Sequence, residues 1–161
     1  MSVDRRYWDS DCFLGWLLAE KGKEEHCREV LTAAEDGKVQ IVTSALTIAE
    51  VLALRGRQRI PATDREKVEA FFRSEYIVVR NITRRVSEAA RSYVWDHGVK
   101  PKDALHVATA IDAGLPLLNT FDKPLIKKSG KLGDPPLVIA VPKWEEPKLP
   151  MDMPHGAPAK K

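Results

Sequence analysis

Strand-length runs alternating with helix-length runs predict an α/β fold around a central, mostly parallel sheet of about five strands. Three observations carry that prediction. Short runs rich in β-branched residues recur along the chain, as in residues 39–43 (VQIVT), 76–79 (YIVV) and 137–141 (LVIAV). Between them lie stretches with apolar residues at helical spacing, of which residues 100–115 (KPKDALHVATAIDAGL) are the clearest. The length, 161 residues without an internal repeat, suits one domain with a sizeable core.

Taken in order, Tyr7 and Trp8 belong to a first strand that stops at Asp9-Ser10-Asp11. Residues 12–19 (CFLGWLLA) form a compact apolar helix. Residues 24–35 form a second, with Cys27, Val30, Leu31 and Ala34 on one face, and Asp36-Gly37 ends it. The strand 39–43 follows, then helices over 44–54 (SALTIAEVLAL) and 63–74, the latter with Val68, Phe71 and Phe72 inward. Strand 76–79 and helix 87–97 lead through Gly98 to the helix at 100–115. There Pro101 suits the first turn and Gly114 the exit, while Ala104, Val107, Ala108 and Ile111 mark the buried face. A fourth strand at 115–118, a short helix at 122–128 and a last strand at 137–141 complete a domain spanning residues 1–142. Residues 143–161, rich in proline and ending in Lys-Lys, cannot bury a core and are expected to form a flexible tail in which Trp144 alone is pinned to the domain.

Composition narrows the class. No apolar run approaches the roughly 18–20 residues that span a membrane, and the acids in MSVDRRYWDSD interrupt any signal-peptide core. Two cysteines make no disulfide framework and no zinc pattern, which predicts reduced thiols and a cytoplasmic protein. A net charge of +3 is compatible with a nucleic-acid partner without arguing for one.

Four carboxylates converge by topology. In an open parallel sheet, ligands bind beyond the carboxyl ends of the strands. Asp9 follows the first strand, Glu50 lies in the helix after the second, and Asp122 follows the fourth. Asp103 opens a helix whose far end must return to the start of the fourth strand, so it is delivered to the same edge. Each has a local explanation. Glu50 completes a capping box with Thr47, Asp122 suits an N-cap, and Asp9 suits a strand-ending turn. Together they imply one purpose. Carboxylates about 5 Å apart repel by about 3 kcal/mol per pair at an effective dielectric near 20, so such a cluster takes up protons or a cation. Oxygen-only ligands suit Mg²⁺ or Mn²⁺, which clamp a phosphodiester and activate water.

The stretches YWDSDCFL (7–14), TSALTIAEVL (43–52), KDALHVATA (102–110) and NTFD (119–122) resemble, in that order, PIN-domain ribonucleases, and more narrowly the VapC toxins of VapBC toxin–antitoxin systems. The similarity runs over roughly residues 5–141. It implies a three-layer α/β/α sandwich and a metal-dependent endoribonuclease acting on RNA. It further implies an acidic quartet at Asp9, Glu50, Asp103 and Asp122 holding Mg²⁺ or Mn²⁺, with Thr120 as the small hydroxyl residue before the last acid. The expected partners are an antitoxin laid along the groove to the acidic site and a second copy of the chain. Phe13, Trp16 and Leu17 are candidates for the surface between copies. Asp11 departs from the family pattern and is read as a helix cap in preference to an outer-sphere ligand. His106, one turn from Asp103, is expected to support that residue or the packing. Trp8, Trp16 and Trp95 are expected in the core or at an interface. Arg55, Arg57, Arg59, Arg80, Arg84, Arg85, Lys100, Lys102 and Lys123 are the cations available to RNA phosphates, with Arg57 and Arg59 better read as solvated surface. Two alternatives stand beside the nuclease. One is a non-catalytic PIN-type binding module. The other is a phosphatase of the haloacid dehalogenase type, for which Asp9-Ser10-Asp11 has the spacing and Lys123, Lys127 or Lys128 the charge, but which leaves Glu50 without a role.

Overall fold

The structure is a computed structural model and describes residues 2–54 and 56–148. Arg55 and the terminal part of the expected tail lie outside the described residues. Five strands, β1 (Asp4–Trp8), β2 (Val39–Ser44), β3 (Ile77–Arg80), β4 (Leu117–Asn119) and β5 (Val138–Ala140), form one sheet in the order β3-β2-β1-β4-β5. Every pairing is parallel, so the sheet is all-parallel rather than mostly so. β1 sits at its centre, with Tyr7 opposite both Val42 and Leu118. Chain direction reverses the build on either side of β1, which opens a crevice at the carboxyl ends of β1 and β4.

Helices cover both faces, as parallel strands require. Alternation along the strands assigns the side chains. Tyr7, Val42, Leu118 and Ile139 pack under α5 (Arg84–His97) and α6 (Pro101–Asp112). Trp8, Ile41, Val39 and Ile77 pack under α1 (Ser10–Leu17), α2 (Glu24–Glu35) and α4 (Arg65–Phe72). Each large side chain fully buried here contributes roughly 1.5–3 kcal/mol. Phe13 is wholly buried, stacked on Phe72 at 5.1 Å and edge-on to Phe71 at 5.8 Å. It belongs to the core and cannot serve a surface between copies. Trp8 is core as expected, whereas Trp95 is 73% exposed, with the Arg91 guanidinium 5.1 Å from its ring. Cys12 and Cys27 are free, buried thiols.

Local chemistry sets the helix ends that matter for the site. α5 is capped by the Thr83 hydroxyl, which accepts from the Val86 amide at 3.2 Å, and so starts three residues earlier than periodicity predicts. It ends at Gly98, whose φ of +64° makes the tight turn into α6. α3 (Ala45–Glu50) is shorter than the expected 44–54, because Leu52–Leu54 turn away from the helix axis. Its cap is Ser44, whose hydroxyl accepts from the Leu46 amide at 3.1 Å. Thr47 lies inside the helix, buried, with its hydroxyl 2.7 Å from that of Thr43. The capping box expected between Thr47 and Glu50 therefore does not form, and the Glu50 side chain is released for other contacts. α7 (Lys123–Ile126) is a single turn after β4. Beyond β5 the chain crosses beneath the sheet, where the Lys143 carbonyl accepts from Arg6 at 2.8 Å and Trp144 packs against the α2 side. No helix among the described residues is long and apolar enough to cross a membrane.

Candidate active site

Asp9, Glu50, Asp103 and Asp122 line one open cleft of about 660 Å³. Each comes from a different place in the chain. Asp9 follows β1 directly and caps α1, its Oδ1 accepting from the Cys12 amide at 3.2 Å. Asp122 follows β4 and caps α7, its Oδ2 accepting from the Leu125 amide at 3.0 Å. Asp103 stands in the first turn of α6, where Pro101 starts the helix and the helix dipole favours a negative charge. Glu50 is the last residue of α3. The capping roles expected of Asp9 and Asp122 are thus real, and they fix one carboxylate oxygen of each while the other is left for the cleft.

Thr120 is fully buried beside Asp122, where its hydroxyl accepts from the Asp122 amide at 3.1 Å. The same hydroxyl favours the ionised form of Asp9 and works against the upward shift that burial causes. His106 does not reach Asp103 in the way the sequence led one to expect. Its Nε2 lies 2.8 Å from Glu50 Oε2, and its Nδ1 lies 2.6 Å from the Tyr7 hydroxyl. Ser10 donates its hydroxyl to the same Glu50 oxygen. Sequence spacing could not have found the Tyr7–His106–Glu50 line, because its members are 99 and 56 residues apart.

Asp11 is not the cap of α1. Its carboxylate accepts from Lys23 at 3.1 Å and from Arg57, whose Nε also donates to Glu20 at 2.9 Å. The Asp9-Ser10-Asp11 spacing consequently presents only one free acid to the cleft. Arg57, expected as solvated surface, is mostly buried at the cleft rim. Lys100 and Lys102 complete the rim, with Lys102 Nζ 3.8 Å from Glu50 Oε1. Arg80 and Arg85 pair instead with Asp112, and Arg84 with Glu88.

Electrostatics follow from this layout. Burial pushes the Asp9 carboxyl up to about 7, against the pull of the His106 imidazole and the Thr120 hydroxyl. Burial, then the charge of Asp122, raises Asp103. Burial acts on Glu50 in the same sense, but the hydrogen bond and charge of His106, then Ser10, bring it below the ordinary carboxylate value. The cleft is therefore short of positive charge at its centre, and its donors are all oxygen, which fits a hard divalent cation. Among the described residues, no three His, Cys, Asp or Glu side chains stand close enough to hold a metal ion as they are placed. Glu50 accounts for part of that, since its inner oxygen is turned to His106 and Ser10.

A family model described as PIN domain matches residues 7–131. No curated sequence matches the chain. Among solved structures, VapC20 from Mycobacterium tuberculosis, a sarcin–ricin loop cleaving toxin, aligns with a TM-score of 0.62 at 17% identity, over 74% of this chain and 92% of its own. VapBC2 from Rickettsia felis, bound to a DNA fragment of its promoter, aligns at 0.60 and 13% identity over 88% and 99%. FitAcB from Neisseria gonorrhoeae aligns at 0.56 and 18% identity over 85% and 97%. The central all-parallel sheet with helices on both faces is the fold they share with this chain.

Proposed function

The chain belongs to the PIN-domain family, and on that footing we propose that it is a Mg²⁺- or Mn²⁺-dependent endoribonuclease, the toxin of a toxin–antitoxin pair acting in the cytoplasm. One observation carries the proposal: four acids from four separate elements line a single cleft beside the sheet's central strand. Asp9, Asp103, Asp122 and Glu50 are the residues that would hold the ion. Once bound, such an ion supplies an activated water and neutralises charge developing on the phosphodiester. The chain's own groups do the positioning. The Cys12 and Leu125 amides fix the directions of Asp9 and Asp122, and Thr120 links the two. Lys100 and Lys102 at the mouth attract RNA phosphates toward a pocket that would otherwise repel them.

The partner we propose is an antitoxin, with a second copy of the chain completing the assembly. α3 separates the acidic cleft from an apolar groove of about 560 Å³ lined by Ile48, Leu52, Ile60, Val68 and Phe72. Ile48 and Leu52 are 44% and 50% exposed there, so an apolar segment covering them would end beside Glu50.

RNA and a generic phosphate monoester, each assayed with Mg²⁺, with Mn²⁺ and with chelator, test the function. The expected result is RNA cleavage with either metal, none in chelator, and an untouched monoester. Monoester hydrolysis, or cleavage indifferent to chelator, contradicts it. Millimolar Mg²⁺ or Mn²⁺ is also expected to raise the melting temperature, because an ion relieving carboxylate repulsion binds only the native state. An unchanged melting temperature argues against a metal at this cleft.

A further inference from the structure

Tyr7, His106 and Glu50 form a buried line running from the middle of the sheet to the cleft. Tyr7 is wholly buried and His106 is 2% exposed. Both imidazole nitrogens are engaged, Nδ1 by the Tyr7 hydroxyl at 2.6 Å and Nε2 by Glu50 Oε2 at 2.8 Å. An ionised carboxylate can only accept, so Nε2 carries a hydrogen and donates it. In the neutral imidazole Nδ1 is then the acceptor for the Tyr7 hydroxyl. The pair of contacts thus selects one tautomer.

We propose that His106 is a positioning residue for Glu50, with Tyr7 setting its tautomer; the proposal rests on the nuclease reading above. Glu50 ends a six-residue helix and has several rotatable bonds, and no capping contact within α3 orients it. Its direction is imposed from outside, by His106 and by the Ser10 hydroxyl on the same oxygen. Oε2 is held inward and Oε1 is the oxygen offered at the mouth, 3.8 Å from Lys102 Nζ. The line also joins the elements that carry the acids. Tyr7 lies two residues before Asp9, and His106 lies three residues after Asp103 on α6. A single chain of hydrogen bonds therefore sets Glu50 in register with Asp9 and Asp103, and a shift in any one of the three elements is resisted by the other two.

Three variants test this: His106→Leu removes both contacts at similar size, His106→Gln keeps a donor toward Glu50, and Tyr7→Phe removes only the hydroxyl. Cleavage of an RNA oligonucleotide with Mn²⁺, the Mn²⁺ concentration for half-maximal thermal stabilisation, and the ¹⁵N imidazole spectrum of the parent are measured. His106→Leu is expected to lower kcat at least tenfold with KM within about threefold, and to raise the half-maximal Mn²⁺ concentration at least threefold. His106→Gln should recover at least threefold in kcat over His106→Leu, and Tyr7→Phe should fall between. The parent spectrum should show His106 protonated at Nε2. Equal cleavage and an equal Mn²⁺ response in parent and His106→Leu overturn the proposal, as does a His106→Gln no better than His106→Leu. If His106→Leu does not fold, a parent imidazole bare at Nε2, or a Tyr7→Phe protein with parental kcat and Mn²⁺ response, overturns it. A parent that cuts no RNA sinks the nuclease reading alone, since the Mn²⁺ titration and the spectrum still decide the role of His106.

Discussion

At the scale of single residues, Asp9 is the point of greatest tension. It is 4% exposed, and burial pushes its carboxyl up to about 7 while the unfolded chain would titrate near 4. The native state therefore holds a proton that the unfolded state has already lost, so its contribution to stability is complete below about pH 4 and disappears as pH rises through about 7. Asn at this position keeps a good helix cap and carries no charge. In chelator at pH 8, Asp9→Asn should be more stable than the parent by on the order of 2–4 kcal/mol, from about 1.36 kcal/mol per pKa unit, and the gap should close toward pH 4. Urea denaturation across that range measures it, and parallel pH profiles for the two proteins would contradict the account. That the four acids meet in one cleft was legible in the sequence because strand order sends them to one edge, whereas Thr120 was singled out only by the family resemblance. The acids' partners were not legible. His106 was read as a neighbour of Asp103 from helical spacing, yet tertiary packing turns it to Glu50, and no local pattern encodes a contact spanning 56 residues.

At the scale of elements, the segment after α3 is held by the core packing of Val51, Leu54 and Ile60 and by the ion pairs of Arg57. Arg57 reaches both Asp11 on α1 and Glu20 just beyond it, and Lys23 meets the same two acids. That segment supplies Leu54 to the cleft rim and follows directly on Glu50. Arg57→Ala should cost about 1–2 kcal/mol, since the pairs are mostly shielded from solvent and two acids are left sharing one lysine. It should also speed proteolysis within residues 51–61. Arg57→Lys should rescue only part of this, because an ammonium lacks the planar fork whose separate nitrogens donate to Asp11 and Glu20 at once. Parental stability and protease resistance in Arg57→Ala would return Arg57 to the solvated surface that sequence alone suggested. Elements with strong periodicity, such as α2, were legible to the residue, whereas α3 was overextended. The apolar run SALTIAEVLAL suits a helix throughout, but Ile48 and Leu52 face an open groove and helix ends at Glu50, so burial on one side does not sustain the last turn.

At the scale of the whole molecule, the all-parallel sheet puts β1 in the middle and gathers the acids where its carboxyl end meets that of β4. The α/β class and this convergence were both readable from the alternation of strands and helices, because parallel order leaves few routes for the chain. The central claim is that α6 carries part of an active site, and Asp103→Asn tests it most directly. The change is nearly isosteric, and Asn is acceptable in a first helical turn, so folding stability should move by no more than about 1 kcal/mol. RNA binding should persist or tighten, because the cleft repels phosphate less. Cleavage of RNA with Mg²⁺ should fall at least about a hundredfold, on the order of 3 kcal/mol in the barrier, because an amide oxygen is a poorer ligand for the ion than a carboxylate. A folded Asp103→Asn protein that cuts RNA at the parental rate would contradict the account.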